Sequence, residues 1–202
     1  ADQIASRSVD GWDCGFPPAW AMDPERKPLI ALGMNGSPLP VDLGYPARLI
    51  IPGLYGYVSA TKWLSEIELT TWDAFDGYWI PRGWAKEAPI LTQSRIDTPR
   101  SGSQLTNGVE VPVAGVAWAV DRGIEGVEVS IDDGEWQAAE ISDPLNDATW
   151  VQWVLPWTPS AAGSHRIKVR AIDGTGEVQT AERTAPDPDG ARGHHEITVT
   201  SA

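Results

Sequence analysis

Apolar and polar residues alternate with a period of two along much of the chain, and the apolar spacing of an amphipathic helix is missing from its longer segments. In the first part, Arg48–Ile51 is a nearly continuous apolar run that ends at Pro52-Gly53, which predicts a strand buried on both faces. A second predicted strand, Lys62–Thr70, alternates and places three apolar side chains on one face: Trp63, Ile67 and Leu69.

Beyond about Pro89 the alternating runs become short and evenly spaced. They predict five strands: Val111–Trp118, Val127–Ile131, Trp150–Leu155, Arg166–Ile172 and Glu196–Thr200. The Asp133-Gly134 pair before Trp136 is typical of a hairpin turn. Short antiparallel strands at this spacing favour an immunoglobulin-like β-sandwich. We therefore predict two domains, residues 1–92 and residues 93–202.

Composition and charge exclude several classes of protein. Of the 202 residues, 42% are hydrophobic and 11 are Trp, which argues against disorder. The net charge of -13 would repel a phosphate backbone, so we expect no nucleic-acid partner. The apolar runs are too short to cross a bilayer, so we expect no membrane segment in this chain. Residues 1–94 carry 7 basic and 11 acidic groups and residues 95–202 carry 8 and 17, so an anionic ligand fits the first part better.

The single cysteine, Cys14, excludes an internal disulfide and a cysteine-based zinc cage. We expect it to be a packed thiol. The three histidines, His165, His194 and His195, do not form a metal-binding pattern, and we expect His195 to pack at the start of the last strand. No metal site is predicted.

Several motifs in a fixed order resemble the sulfite oxidase family of molybdopterin-dependent oxidoreductases. In the first part they are Ala21-Met-Asp-Pro, the Met-Asn-Gly-Ser-Pro-Leu-Pro sequence within Ala31–Pro40, Gly44–Gly53, and Lys62-Trp-Leu. In the second part they are Gly115–Trp118, Val127–Trp136 and Trp150–Trp153. The resemblance implies a mainly β fold, in which a partial molybdopterin-binding α+β segment precedes an immunoglobulin-like dimerisation domain.

The same resemblance implies a set of cofactor-binding residues. Arg48 and Lys62 match the family's ligands to the terminal phosphate of the pterin, a group suited to an Arg fork or a Lys point charge. Thr61, with the adjacent Ser59 and Ala60, is expected to add main-chain donors. Asp10 matches a family aspartate near the cofactor, and its other interpretation is a turn-forming residue before a glycine.

Other features depart from the family pattern. The family's molybdenum-ligating cysteine would precede residue 1, so we expect this chain to be a piece of a longer protein, with no catalytic residue, no bound cofactor and no activity alone. The stretch Leu43-Gly-Tyr-Pro lacks a family histidine. Neither Tyr78 nor Arg192 can be assigned to the substrate pocket from the sequence, and Arg192 is more typical of a surface arginine.

For the full-length protein, the resemblance implies oxygen-atom transfer coupled to electron transfer, a haem or cytochrome electron acceptor, and a homodimer formed through the C-terminal domain. Alternation places Trp150 and Trp153 on opposite faces, so at least one of them points away from the core. We expect an outward Trp at the dimer interface, which Trp153→Ser would test. Two alternatives stay open: a non-catalytic immunoglobulin-like interaction module and a carbohydrate-binding module.

Overall fold

Short β-strands dominate the computed structural model, which describes residues 1–202. The chain divides into two units, residues 1–90 with 185–190 and residues 91–184 with 191–202. In the first unit the strands are β1 (Gln3–Ser8), β2 (Asp13–Phe16), β3 (Leu29–Ala31), β4 (Gly33–Met34), β5 (Ser37–Pro38), β6 (Arg48–Ile50) and β7 (Leu64–Thr70). Its helices are single turns: α1 (Pro18–Ala21), α2 (Gly56–Ser59), and 3-10 turns at Val41–Leu43 and Ile80–Arg82. No helix is long and apolar enough to cross a membrane.

An antiparallel sheet of order β2-β1-β7 organises the first unit, beside two small pairs, β3–β6 and β4–β5. The tight connection between β1 and β2 depends on Gly11, at φ +88°, and on the Asp10 carboxylate, which accepts a hydrogen bond from the Trp12 amide at 3.0 Å. The core on which these strands pack contains Ile4, Cys14, Phe16, Leu49, Ile51, Leu54, Val58 and Ala88.

Two packed sheets form the second unit. One has the order β13 (Glu140–Ile141), β14 (Val151–Trp157), β10 (Val111–Trp118), β8 (Gln93–Thr98). The other has the order β12 (Gln137–Ala138), β11 (Ile124–Ile131), β15 (Gly163–Asp173), β16 (His195–Ser201), β9 (Gln104–Leu105). Alternate residues of both sheets meet in one apolar core, which confirms the predicted mainly β fold with an immunoglobulin-like sandwich.

The structure confirms the predicted strands and corrects one turn. Strand β10 has the predicted bounds, and β11 pairs with β12 in the predicted hairpin. The turn is centred one residue earlier than expected, because Asp132 and Asp133 are the residues with positive φ, at 53° and 57°. Two consecutive positive φ angles are the signature of a type I′ turn, which suits the twist of a hairpin.

One prediction about the tryptophans is half right. Trp150 and Trp153 do face opposite ways, but Trp153 is 2% exposed and lies in the sandwich core, whereas Trp150 is 62% exposed. Trp153→Ser would therefore open a cavity in the core and would not report on a dimer interface. A substitution at the exposed Trp150 is the one that tests the predicted interface. In the first unit, the apolar face predicted for β7 is likewise open to solvent, since Ile67 and Leu69 are exposed.

Candidate functional site

Three consecutive main-chain carbonyls of the 3-10 turn at Val41–Leu43 each accept a hydrogen bond from a side chain. Trp63 Nε1 donates to the Val41 oxygen at 2.7 Å, Lys62 Nζ to the Asp42 oxygen at 3.1 Å, and Arg48 Nη1 to the Leu43 oxygen at 3.3 Å. The turn therefore gathers both predicted phosphate ligands at one place, although they are 14 positions apart in the sequence.

Gly44 ends this turn and allows the two cations to approach each other. It has a φ of +114°, and a Cβ built on it would lie 3.1 Å from Lys62 Cα and Cβ and 3.2 Å from Arg48 Cβ. Both the backbone conformation and the space thus require glycine. The Leu43-Gly44 pair, which departs from the family at its first residue, keeps the glycine on which the geometry depends.

Arg48 has an unusual environment for a cation. Its Nε atom is buried and has no hydrogen-bond partner. A buried donor without an acceptor costs free energy, and the cost is larger for a charged group. One other buried side-chain atom shares this condition, the neutral Nε1 of Trp153 in the sandwich core. An anionic oxygen beside Arg48 would supply the missing acceptor, so the residues present fit the phosphate of a pterin cofactor.

A cavity of about 430 Å³ opens beside Lys62. Asp10 also lines it, and the remaining wall is rich in aromatic side chains, namely Trp12, Tyr57, Trp63 and Trp79. Lys62 Nζ lies 4.4 Å from the centre of the Trp63 ring, which stabilises the cation and holds the ammonium group against this wall. The cavity combines flat apolar surfaces with one cation and one carboxylate, which suits a planar heterocycle that carries an anionic tail.

Asp10 has the environment of an ionised carboxylate. The hydrogen bond from the Trp12 amide, helped by the nearby positive charge of Lys62, lowers the pKa of Asp10 below its ordinary value. Asp10 forms the turn before Gly11, and it also lines the cavity.

The Thr61 side chain points into the interior of the first unit. It is fully buried, and its hydroxyl lies 2.6 Å from Ser6 Oγ and 3.4 Å from Cys14 Sγ. The hydroxyl therefore belongs to the interior, and only the Thr61 main chain can serve a ligand. Burial raises the pKa of Cys14 to about 11, against the opposing effect of the Ser6 and Thr61 hydrogen bonds. The expectation of a packed thiol is confirmed.

Tyr57 is a cavity residue that the sequence did not reveal. Its hydroxyl donates to the Ala85 oxygen at 3.0 Å and lies 3.4 Å from the Pro188 oxygen. Burial, with a contribution from the charge of Asp189, raises the pKa of Tyr57 to about 12, so the phenol stays protonated. The segment 185–190 thereby fixes part of the aromatic wall, a role that depends on chain segments far apart in sequence.

Two residues left unassigned by the sequence lie outside this cavity. Tyr78 packs under Arg82, whose guanidinium carbon lies 3.6 Å from the centre of the Tyr78 ring. Arg192 belongs to the second unit, where it lines a different cavity. His195 behaves as expected at the start of β16, since its Nδ1 accepts a hydrogen bond from the Ile96 amide at 3.0 Å.

Two family models match the chain in sequence. Residues 1–79 match the oxidoreductase molybdopterin binding domain, and residues 86–185 match the Mo-co oxidoreductase dimerisation domain. Together they extend over both units, and neither a lone interaction module nor a carbohydrate-binding module explains the first match.

Individual proteins agree with these models. The chain is 31% identical over 193 residues to the mitochondrial sulfite oxidase of Homo sapiens, a match that covers 83% of this chain and 35% of that protein. It is 33% identical over 155 residues to an NADPH nitrate reductase of Fusarium oxysporum, covering 63% of this chain and 17% of that protein. The chain thus spans about a third or less of these curated relatives.

A solved structure shows the same fold. The sulfane dehydrogenase SoxCD from Paracoccus pantotrophus superposes with a TM-score of 0.74 at 20% sequence identity, and the match covers 99% of this chain and 55% of that one.

Proposed function

Because this chain belongs to the sulfite oxidase family of molybdopterin-dependent oxidoreductases, we propose that its first unit holds the phosphate end of the pterin cofactor through Arg48 and Lys62. The observation that carries this proposal is the buried Arg48 Nε without an acceptor, set across Gly44 from Lys62. When bound, the cofactor supplies molybdenum-centred oxygen-atom transfer and electron transfer to the whole protein.

The chain's own residues orient and shield that group. Arg48 and Lys62 would provide charge-assisted hydrogen bonds, which are stronger than neutral ones. The ionised Asp10 carboxylate lies in the same cavity as Lys62 and would accept hydrogen bonds from N–H groups of a pterin ring. Thr61 contributes only through its main chain, because its hydroxyl is committed to Ser6 and Cys14.

For the whole protein we propose oxygen-atom transfer coupled to electron transfer, with a haem or cytochrome as the electron acceptor. None of the residues of this chain is assigned a catalytic role in the proposal, and Cys14, a buried thiol in contact with Ser6 and Thr61, is not among the proposed ligands. We also propose that the protein is a homodimer through its second unit, since residues 86–185 match a dimerisation domain.

The test is the pterin content of the intact cofactor-containing protein. Arg48→Ala and Lys62→Ala each remove one charge-assisted contact, so each should weaken pterin retention about ten- to a hundredfold. Arg100→Ala, which removes an exposed cation of the second unit, is the matched control and should retain full pterin. Undiminished pterin in both site variants, measured after purification, would remove Arg48 and Lys62 from the site.

A further inference from the structure

Lys62 and Trp63 are neighbours in the sequence, yet their side chains lie on the same side of the chain. Both line the cavity of about 430 Å³, and Lys62 Nζ lies 4.4 Å from the centre of the Trp63 ring. In an extended strand, successive side chains point to opposite faces, so two adjacent residues could not meet in this way. The strand that was predicted to begin at Lys62 begins at Leu64, and the backbone ahead of it has a different conformation.

The backbone of Trp63 is left-handed, with a φ of +48°. Glycine adopts this region readily, whereas a bulky side chain does so rarely and at a cost in free energy. The left-handed residue interrupts the alternation just before β7 and brings the Lys62 side chain onto the ring of its own neighbour. Strained residues of this kind persist only where the surrounding contacts hold them, and they concentrate at functional sites.

Each polar group of Trp63 makes a hydrogen bond that holds this conformation. The amide donates to the Gly44 oxygen at 3.3 Å, and the indole Nε1 donates to the Val41 oxygen at 2.7 Å. Both bonds tie Trp63 to the 3-10 turn that gathers the two cations. The Trp63 carbonyl accepts a hydrogen bond from the Val9 amide at 3.1 Å, next to Asp10. Trp63 therefore joins the turn that binds the cations to the turn that carries the carboxylate.

We propose that Trp63 is a positioning residue of the cofactor site, whose left-handed backbone and indole ring hold the Lys62 ammonium group at the cavity before the cofactor binds. The inference rests on the proposed function and adds the residue that orders one of its two cations. The flexible four-carbon stem of a lysine loses conformational entropy when its ammonium group is fixed by an anion. A ring that already holds the ammonium group reduces this loss.

Pterin retention in the intact cofactor-containing protein tests the inference through a double-mutant cycle. Trp63→Leu should weaken retention about two- to thirtyfold, the range expected for the loss of one cation–π contact. In the Lys62→Ala background the same change should cause no further loss, because Trp63 acts through Lys62. Trp63→Phe, which keeps a ring for the ammonium group, should retain more pterin than Trp63→Leu.

Trp20→Leu is the matched control for the loss of an indole ring. Trp20 is a half-buried tryptophan of the first unit whose ring centre lies 3.6 Å from the guanidinium carbon of Arg26, and it does not line the cavity. Its replacement should leave pterin retention unchanged. Equal losses from Trp63→Leu with and without Lys62 would make Trp63 a structural residue and overturn the inference. Undiminished pterin in Lys62→Ala would instead remove the proposed function, and the positioning role with it.

The backbone strain is measured separately, by thermal melting of the protein without cofactor. Trp63→Gly should melt at a higher temperature than Trp63→Ala, the reverse of the usual order, because a left-handed backbone favours glycine. Trp63→Ala melting at the same temperature as Trp63→Gly, or higher, would show that the position carries no such strain and would overturn the inference whatever the pterin content.

Discussion

Asp173 in the second unit is a fully buried ion, whereas Arg48 in the first unit is half-buried with its Nε atom out of water, and their hydrogen bonding differs. The Asp173 side chain is fully buried and accepts hydrogen bonds from Arg122 Nε at 2.8 Å, the Thr92 hydroxyl at 3.0 Å, the Thr175 hydroxyl and amide at 2.6 and 3.0 Å, and the Glu177 amide at 3.2 Å. The Arg48 side chain donates one hydrogen bond, from Nη1 to the main-chain oxygen of Leu43, and its Nε has no acceptor.

This difference separates an ion that stabilises the fold from one whose buried Nε donor makes no hydrogen bond. A buried charge with its full set of partners contributes to the native state, and removing one partner exposes the whole desolvation cost. A buried charged donor without an acceptor makes the fold less stable than it could be, and such a defect is retained where function requires it. The comparison therefore predicts a large loss of stability on removing Asp173 and a small change on removing the Arg48 guanidinium.

The largest effect is expected at Asp173. Asp173→Ala leaves Arg122 and several amide and hydroxyl donors without their acceptor, so the free energy of unfolding should fall by about 3–5 kcal/mol. Urea unfolding followed by Trp fluorescence measures it. Asp173→Asn keeps the shape and part of the bonding, and its smaller loss is the control. Equal stability of Asp173→Ala and the parent would show that the network is not structural.

The contribution of Asp173 to stability should also appear as a loss of stability at acid pH. Burial favours the protonated form, but the hydrogen bonds from Thr175, Arg122 and Thr92 prevail and lower the pKa of Asp173 to about 2. The stabilisation is complete above the ordinary aspartate pKa near 4 and is lost as the pH falls toward 2, a total of about 2–3 kcal/mol. Unfolding free energies measured between pH 5 and pH 2 should show a steeper fall for the parent than for Asp173→Asn.

The pH effect expected from His165 is smaller than that from Asp173, because its partner, Asp132, is half exposed. Its Nδ1 lies 2.7 Å from an Asp132 oxygen, and this hydrogen bond raises the pKa of His165. The stabilisation is present below the ordinary histidine pKa near 6.5 and is lost as the pH rises through the raised value, about 1 kcal/mol for a partly solvated pair. Burial lowers the pKa of His195, so titration of His195 changes stability with pH in the opposite direction. The effect of His165 is therefore measured as the difference in unfolding free energy between the parent and Asp132→Asn across this pH range.

Arg48 should show the smallest change in stability. Arg48→Met keeps the aliphatic bulk and removes a buried donor that has no acceptor, so the free energy of unfolding of the cofactor-free chain should change by less than about 1 kcal/mol. Urea unfolding of the two chains decides it. A loss comparable with that of Asp173→Ala would make Arg48 a structural residue and end the contrast between the two ions.

The sandwich was readily predicted, because its strands bury apolar residues at every second position. Val127 and Val129 of β11 and Val113 and Ala117 of β10 are all buried, so the period of two is visible in the residue types themselves. Strand β1 was missed for the opposite reason. Its buried positions include Gln3 and Ser6, and polar residues in a core give no hydrophobic pattern.

The candidate site was predicted in part. The spacing of Met-Asn-Gly, Gly44 and Lys62-Trp-Leu, read through a family resemblance, identified Arg48 and Lys62, and the structure brings both to one turn. Local sequence could not identify Tyr57, Trp12 or Trp79 as the wall of the cavity, since each reaches it from a different segment.

The sequence by itself determined the fold class, the strand positions in the sandwich and the residues worth testing, because hydrophobic period and motif spacing are local properties of the chain. Tertiary structure alone decided that Trp153 is in the core while Trp150 is exposed, that the Thr61 hydroxyl points to Cys14, and that Arg48 Nε is buried without an acceptor. Burial and hydrogen bonding are set by atoms from distant segments, so these outcomes depend on where the whole chain packs rather than on any residue and its neighbours.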